Sequence, residues 1–208
     1  MNETITTPDC VLCVDLDGTL SYTDTLTEAV LLLIKQRPWA LFLLPFWLLR
    51  GKAHCKAEIA RRVSFDPGIL AYNEELAGWL REEHAAGRRI VLASGADRRI
   101  VEAVAAHHGI FGDVVASDGV VNMTGSAKAS TLKERFGRYS YVGNASVDMP
   151  VWAEAEASML AAHSDAVERA LSRQVRGSRR DTSLTPLSNL QMTQEKIADS
   201  WIQLEQFR

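Results

Sequence analysis

Short apolar runs recur along this chain, separated by stretches with helical spacing. The first, Val11–Val14, is uninterrupted; residues 90–93 and 114–116 repeat it, and residues 139–142 and 158–162 add a fourth and a fifth. Runs of this kind, apolar on both faces, suit the strands of a parallel sheet covered by helices on either side. Between them the spacing changes. Residues 73–86 read as a helix closed by Gly87, and residues 96–108 place Ile100, Val101, Val104 and Ala105 on one side before stopping at Gly109. A further helix is expected to start near Lys128. The alternation predicts an α/β fold built on a parallel sheet.

One segment departs from this rhythm. Residues 21–62 are helical in pattern but strongly apolar, with residues 29–34 followed by a second run at 39–49, and Pro38 and Pro45 punctuate them. Pro45 predicts a kink. The second run is well short of the roughly 20 residues needed to cross a bilayer. Its surface has three destinations open to it: packing within the fold or against a second subunit, an apolar wall for a lipid-like phosphate substrate, or peripheral membrane contact through residues 38–50. Lys52, Lys56, Arg61 and Arg62 follow it, either as a solvated helix face or as a basic rim that attracts phosphorylated substrates. Beyond the fifth strand, a helix over 164–174 closes the domain, residues 176–190 read as a linker, and Thr193 caps a last helix whose stripe is Ile197, Trp201 and Leu204.

Chemistry gathers where the apolar runs end. Asp15 and Asp17 emerge one residue apart from the first strand, so in extended chain they point the same way and share one small polar site. Ligands in open α/β sheets bind beyond the carboxyl ends of the strands. Two carboxylates that close repel unless a proton or a cation relieves them, and carboxylate oxygens are ligands that Mg2+ prefers. Gly18 turns the backbone away. The second run ends in Ser94 and Gly95. Lys128 lies at a helix start, where the macrodipole disfavours a cation, and is therefore a stronger candidate than Lys133 further along. The fourth run leads to Asn144 and Asp148.

Composition narrows the classes. The chain has 208 residues, 47% hydrophobic and 24% charged, which allows one good core and a small second domain. A net charge of -3 without long like-charge blocks argues against a nucleic-acid binder. The polar, acid-containing start lacks the pattern of an export signal, and three cysteines, an odd number, fit a reducing cytoplasm. Cys10 and Cys13 would face opposite sides of one strand and read as buried, reduced thiols.

The run Asp15-Leu16-Asp17-Gly18-Thr19, with Ser94, Lys128 and the segment Gly143-Asn144-Ala145-Ser146-Val147-Asp148 in order behind it, resembles the four motifs of the haloacid dehalogenase-like (HAD) superfamily, whose members are mostly Mg2+-dependent phosphatases. The resemblance covers residues 11–162 and is nearest the phosphoserine-phosphatase-like branch. The apolar segment and residues 143–152 are also similar to the phosphatase-like domain that precedes a prenyltransferase membrane domain in some bacterial fusion proteins. It implies a three-layer Rossmann-like parallel sheet, with a core domain of residues 1–20 and 87–175, a small helical cap at 21–86 inserted after the first strand, and a linker and C-terminal helix at 176–208. It implies a phosphomonoester hydrolase working through an aspartyl-phosphate: Asp15 as nucleophile, Asp17 as general acid and base, Ser94, Gly95, Thr19 and Lys128 around the phosphoryl group, and Mg2+ on Asp15, Asp17 and Asn144 with Asp148 behind them. Asn144 departs from the pattern, which has an acid there, so the alternative is a catalytically silent binding or regulatory module, associated with a membrane prenyltransferase or a lipid-phosphate pathway. A dehalogenase is disfavoured, because the superfamily's dehalogenases generally lack an acid at the Asp17 position. The expected partner is a small phosphorylated substrate, lipid-like if the apolar segment meets it. The expected location is the cytoplasm, with the inner face of the membrane left open.

Overall fold

The computed structural model describes residues 10–161 and the strand Leu184–Pro186. The helices expected at 164–174 and 193–204 lie outside the described residues. β1 (Val11–Val14) sits in the interior of a parallel sheet because its apolar side chains can be covered on both faces. It pairs with β2 (Ile90–Asp97) in the register Leu12↔Ile90 to Val14↔Leu92, and with β4 (Tyr139–Gly143) in the register Val11↔Tyr139 to Val14↔Val142. β3 (Asp113–Ser117), β5 (Ala157–Leu160) and β6 (Leu184–Pro186) complete the described sheet in the order β3-β2-β1-β4-β5-β6, every pair parallel. The α/β class holds. β6 falls within the segment expected as a linker; it lies at the sheet edge, where a strand ending in proline costs no inner ladder bond.

Alternation along β1 and β2 divides the core. Leu12, Val14, Ile90 and Leu92 face α4 (Glu74–Ala85) and α5 (Arg98–His108), meeting Leu76, Leu80, Val101 and Val104. Cys13, Val91 and Ala93 face the other layer, where Leu132 of α6 (Ser126–Phe136) and Trp152 of α7 (Met149–Glu154) pack around Tyr139 and Tyr141. α4, within the segment expected as the cap, buries Leu76, Ala77 and Leu80 against the sheet. The three cysteines are buried and free, and burial pushes the Cys13 thiol far up, so it stays protonated.

The insertion has its own small core. α1 (Thr25–Gln36) is capped by Asp24, whose carboxylate accepts from Thr27 N at 2.7 Å. A 3-10 helix at Pro38–Leu43, α2 (Leu44–Leu49) and α3 (Lys52–Ala60) follow, with Ala29, Leu33, Ala40, Trp47 and Ile59 closing on Ile100 of α5. Pro45 does not kink a single helix. It stands in the first turn of α2, as Pro38 does in the 3-10 helix, where the missing N–H has no intrahelical partner to lose. β2 likewise runs two residues past its expected end, because Asp97 accepts from Arg99 N at 3.1 Å as the α5 cap and delays the helix.

His107 and His108 end α5, and the helix dipole accounts for them on sequence grounds. For His108 burial prevails instead. Its ring lies edge-on to Tyr72 at 4.5 Å, and desolvation lowers its pKa from the ordinary value, favouring the neutral form.

Candidate active site

The loop after β1 is a tight hydrogen-bonded return. Asp15 N still donates to Val142 O at 2.9 Å, then Ser21 N reaches back to Leu16 O at 2.9 Å. Gly18 makes the turn at φ 74, a conformation that favours glycine. A β-carbon on Gly18 would also lie 2.3 Å from Asn144 Nδ2, so the side chain after β4 rests directly on this turn. Gly18→Ala is therefore expected to cost about 1–3 kcal/mol from backbone strain alone and to displace the Asn144 amide. A thermal unfolding midpoint that does not move would contradict this.

Asp15 and Asp17 line one cavity of about 270 Å³, shared with Asp24, Lys56, Lys128 and Asp148. Their partners differ. Lys128, buried at the start of α6, donates to Asp15 Oδ1 at 2.8 Å, to Asp148 Oδ1 at 3.1 Å and to the Tyr141 hydroxyl at 2.8 Å, which uses all three ammonium protons. Lys133 is exposed. Asp17 accepts from Thr25 N at 2.7 Å and from Ser94 Oγ at 3.1 Å. Ser94 is fully buried and also accepts from Ala96 N at 3.0 Å, while Gly95 and Ala96 line the cavity itself. Thr19 donates a long bond, 3.4 Å, to Asp15 Oδ2. Asp118, at the end of β3, is a turn residue that accepts from Val120 N and Val121 N.

Burial sets the electrostatics here. It raises the pKa of Asp15, with Lys128 opposing, and raises that of Asp17, with the Thr25 N–H opposing. Burial alone would lower Lys128, but the Asp15 and Asp148 carboxylates outweigh it and hold the ammonium above the ordinary lysine value. Tyr141 is pushed well up by burial and the two acids, so its hydroxyl remains protonated and donates to Asp148 Oδ1 at 2.9 Å.

Two participants escaped sequence reasoning. Tyr141 reads as an ordinary strand residue, although a tyrosine in a strand buried on both faces must find a partner for its hydroxyl, and that signal was available. The pattern predicts Lys56 on a solvated face or a basic rim. Its amine instead turns into the cavity, donating to Gly95 O at 2.6 Å and to Asn122 Oδ1 at 2.9 Å. No pattern around it separates it from Lys52.

The acceptors fit a hard cation. Asn144 Oδ1 and Asp148 Oδ2 are buried without a hydrogen-bond donor. Of the cavity's ionisable side chains four are carboxylates and two are ammonium groups, a lining unsuited to an anion unless a cation reverses the local sign. Among the described residues no three histidine, cysteine or acid side chains converge as a ready-made metal cage.

No protein-family model matches the sequence. Among solved structures, a protein of unknown function from Bordetella pertussis Tohama I superposes with a TM-score of 0.59 at 16% identity, over 84% of this chain and 97% of that one. A HAD family hydrolase from Salmonella enterica serovar Typhi gives 0.53 at 14% identity, over 78% of this chain and 65% of that one. An apo phosphoserine phosphatase gives 0.53 at 14% identity, over 87% and 96% of the two chains. The fold is that of the HAD hydrolases. An uncharacterized protein, y4nM, of Sinorhizobium fredii is 31% identical over 151 residues, which is 72% of this chain and 29% of that relative. The chain thus spans under a third of that relative's length. On the HAD fold, the cavity of this chain opens at the carboxyl ends of β1 and β2, between the sheet and the inserted helices.

Proposed function

We propose that this protein is a phosphomonoester hydrolase acting through an aspartyl-phosphate. The observation that carries it is the ammonium of Lys128 held between Asp15 and Asp148, with Asp17 on the same cavity wall. Asp15 supplies the carboxylate oxygen that attacks phosphorus as the bond to the leaving oxygen breaks, dividing one difficult displacement into two. Asp17 gives its proton to that leaving oxygen. A pKa raised by burial suits it to the task, and the bonds from Thr25 N and Ser94 fix its orientation. In the second step Asp17 takes a proton from the attacking water, phosphate departs, and Asp15 is regenerated. Lys128 and Lys56 offer positive charge to the phosphoryl oxygens and Gly95 lines the pocket beside them, while Ser94 and Thr19 act from behind it through their bonds to Asp17 and Asp15.

Asp15, the main-chain carbonyl of Asp17 and Asn144 would hold Mg2+, with Asp148 behind them. Bound there, it supplies the charge that offsets repulsion between carboxylate and phosphate. The substrate class is a small phosphorylated molecule. Turnover of p-nitrophenyl phosphate that requires Mg2+ and is abolished by EDTA is the expected result.

Asn144 favours a second reading, a catalytically silent module of the kind joined to a membrane prenyltransferase, because an amide contributes no charge to a cation site. Failure of pure protein to turn over p-nitrophenyl phosphate or a broad phosphate panel with Mg2+ supports that module. Asn144→Asp distinguishes the two further. For an enzyme it is expected to tighten Mg2+ binding by roughly tenfold and to preserve or raise turnover, read by calorimetric titration and initial rates.

A further inference from the structure

Exposed apolar side chains scattered singly are ordinary; a cluster is not. Five of the twelve large hydrophobic residues exposed among the described residues, Trp39, Phe42, Phe46, Leu48 and Leu49, fall within eleven positions on the 3-10 helix and α2. Phe42 is 80% exposed and Leu49 85%. Both short helices are anchored from the opposite side by Ala40 and Trp47, so the surface is held out from the fold by its own small core. The sequence that carries it is one-sided in charge. Residues 29–57 contain no aspartate or glutamate, and Lys35, Arg37, Arg50 and Lys52 stand exposed at the two ends of the apolar stretch in a chain of net charge -3.

We propose that this face docks on an anionic lipid surface, with the aromatic and leucine side chains inserted at the headgroup boundary and the flanking cations on the headgroups. The charge pattern selects the occupant. A second copy placed face to face would bring the same cations together, whereas acidic headgroups meet them favourably. The dimensions agree as well, because two short helices that expose aromatic and leucine side chains suit shallow insertion.

Co-sedimentation of the full chain with vesicles tests this. Phosphatidylcholine containing a minority of phosphatidylglycerol should pellet the protein, added salt should weaken the effect, and phosphatidylcholine alone should pellet much less. Phe42→Ser with Leu49→Ser should weaken binding by about tenfold or more, with the thermal midpoint unchanged because both sites are exposed. Arg50→Glu with Lys52→Glu should weaken it by a similar factor on the acidic vesicles and provides the comparison if the first variant fails to fold. Three results would overturn the proposal: no sedimentation with either lipid mixture, equal sedimentation with both, or binding by Phe42→Ser/Leu49→Ser equal to that of the parent. Concentration-dependent dimerisation abolished by that variant, without vesicle binding, would assign the face to a second copy instead.

Discussion

Asp15→Asn is expected to lower p-nitrophenyl phosphate turnover by on the order of 10⁴-fold or more without unfolding the protein. The amide keeps the shape of the side chain but removes the attacking oxygen's charge, and with it the covalent route. The structural cost is small for a physical reason. Asp15 is a buried carboxylate whose desolvation already opposes its pairing with Lys128, and the ammonium retains Asp148 and Tyr141 after the change. The pH dependence has a definite sign. Asp15 has a raised pKa in the folded state, so the folded protein binds the extra proton, and ionising Asp15 costs stability as pH rises through that value. The asparagine variant lacks this cost, and its stability should fall less between the ordinary carboxylate range and neutrality. Urea midpoints measured across that range check the sign. Full turnover by the variant would remove Asp15 from the chemistry.

Lys128→Met should have the largest effect on stability. The methionine fills the same volume but leaves the Asp15 and Asp148 carboxylates facing each other without a counter-charge, and breaking a buried pair in this way costs about 3–5 kcal/mol. Turnover should be lost as well. Lowering the pH should shrink the stability deficit, because Asp15, already raised by burial, then takes up a proton in the folded variant and part of the uncompensated charge disappears. Urea unfolding at neutral and at mildly acidic pH reads both effects. A midpoint indifferent to the substitution would mean that the triangle of Lys128, Asp15 and Asp148 is not formed in solution.

The parallel sheet was legible because its inner strands are buried on both faces and so appear as unbroken apolar runs. The polar residues that stop each run then mark the sheet edge where ligands bind. Asp15, Asp17 and Asp148 meet at one cavity for that reason, and Lys128 joins them from the start of α6. Ser94 was legible as a strand-end hydroxyl, but not its bond to Asp17, which depends on how far β2 continues past it. Other features depend on neighbours distant in sequence. The inward turn of Lys56 depends on Gly95 and Asn122, and the neutral state of His108 on Tyr72 packing over a helix end that would otherwise favour its charge. The division of residues 38–49 into two short helices was open to inference, since two prolines can both be accommodated when each begins its own helix.

Placing β1 between β2 and β4 has a consequence for biosynthesis. Asp15 leaves the ribosome long before its counter-charge, because Lys128 follows it by 113 residues. At ordinary translation rates the delay is on the order of ten seconds. Throughout it the nascent segment carries two crowded carboxylates, and the inner strand has neither neighbour until residue 90 and beyond. Until then the two carboxylates lack the ammonium that faces Asp15 in the folded chain.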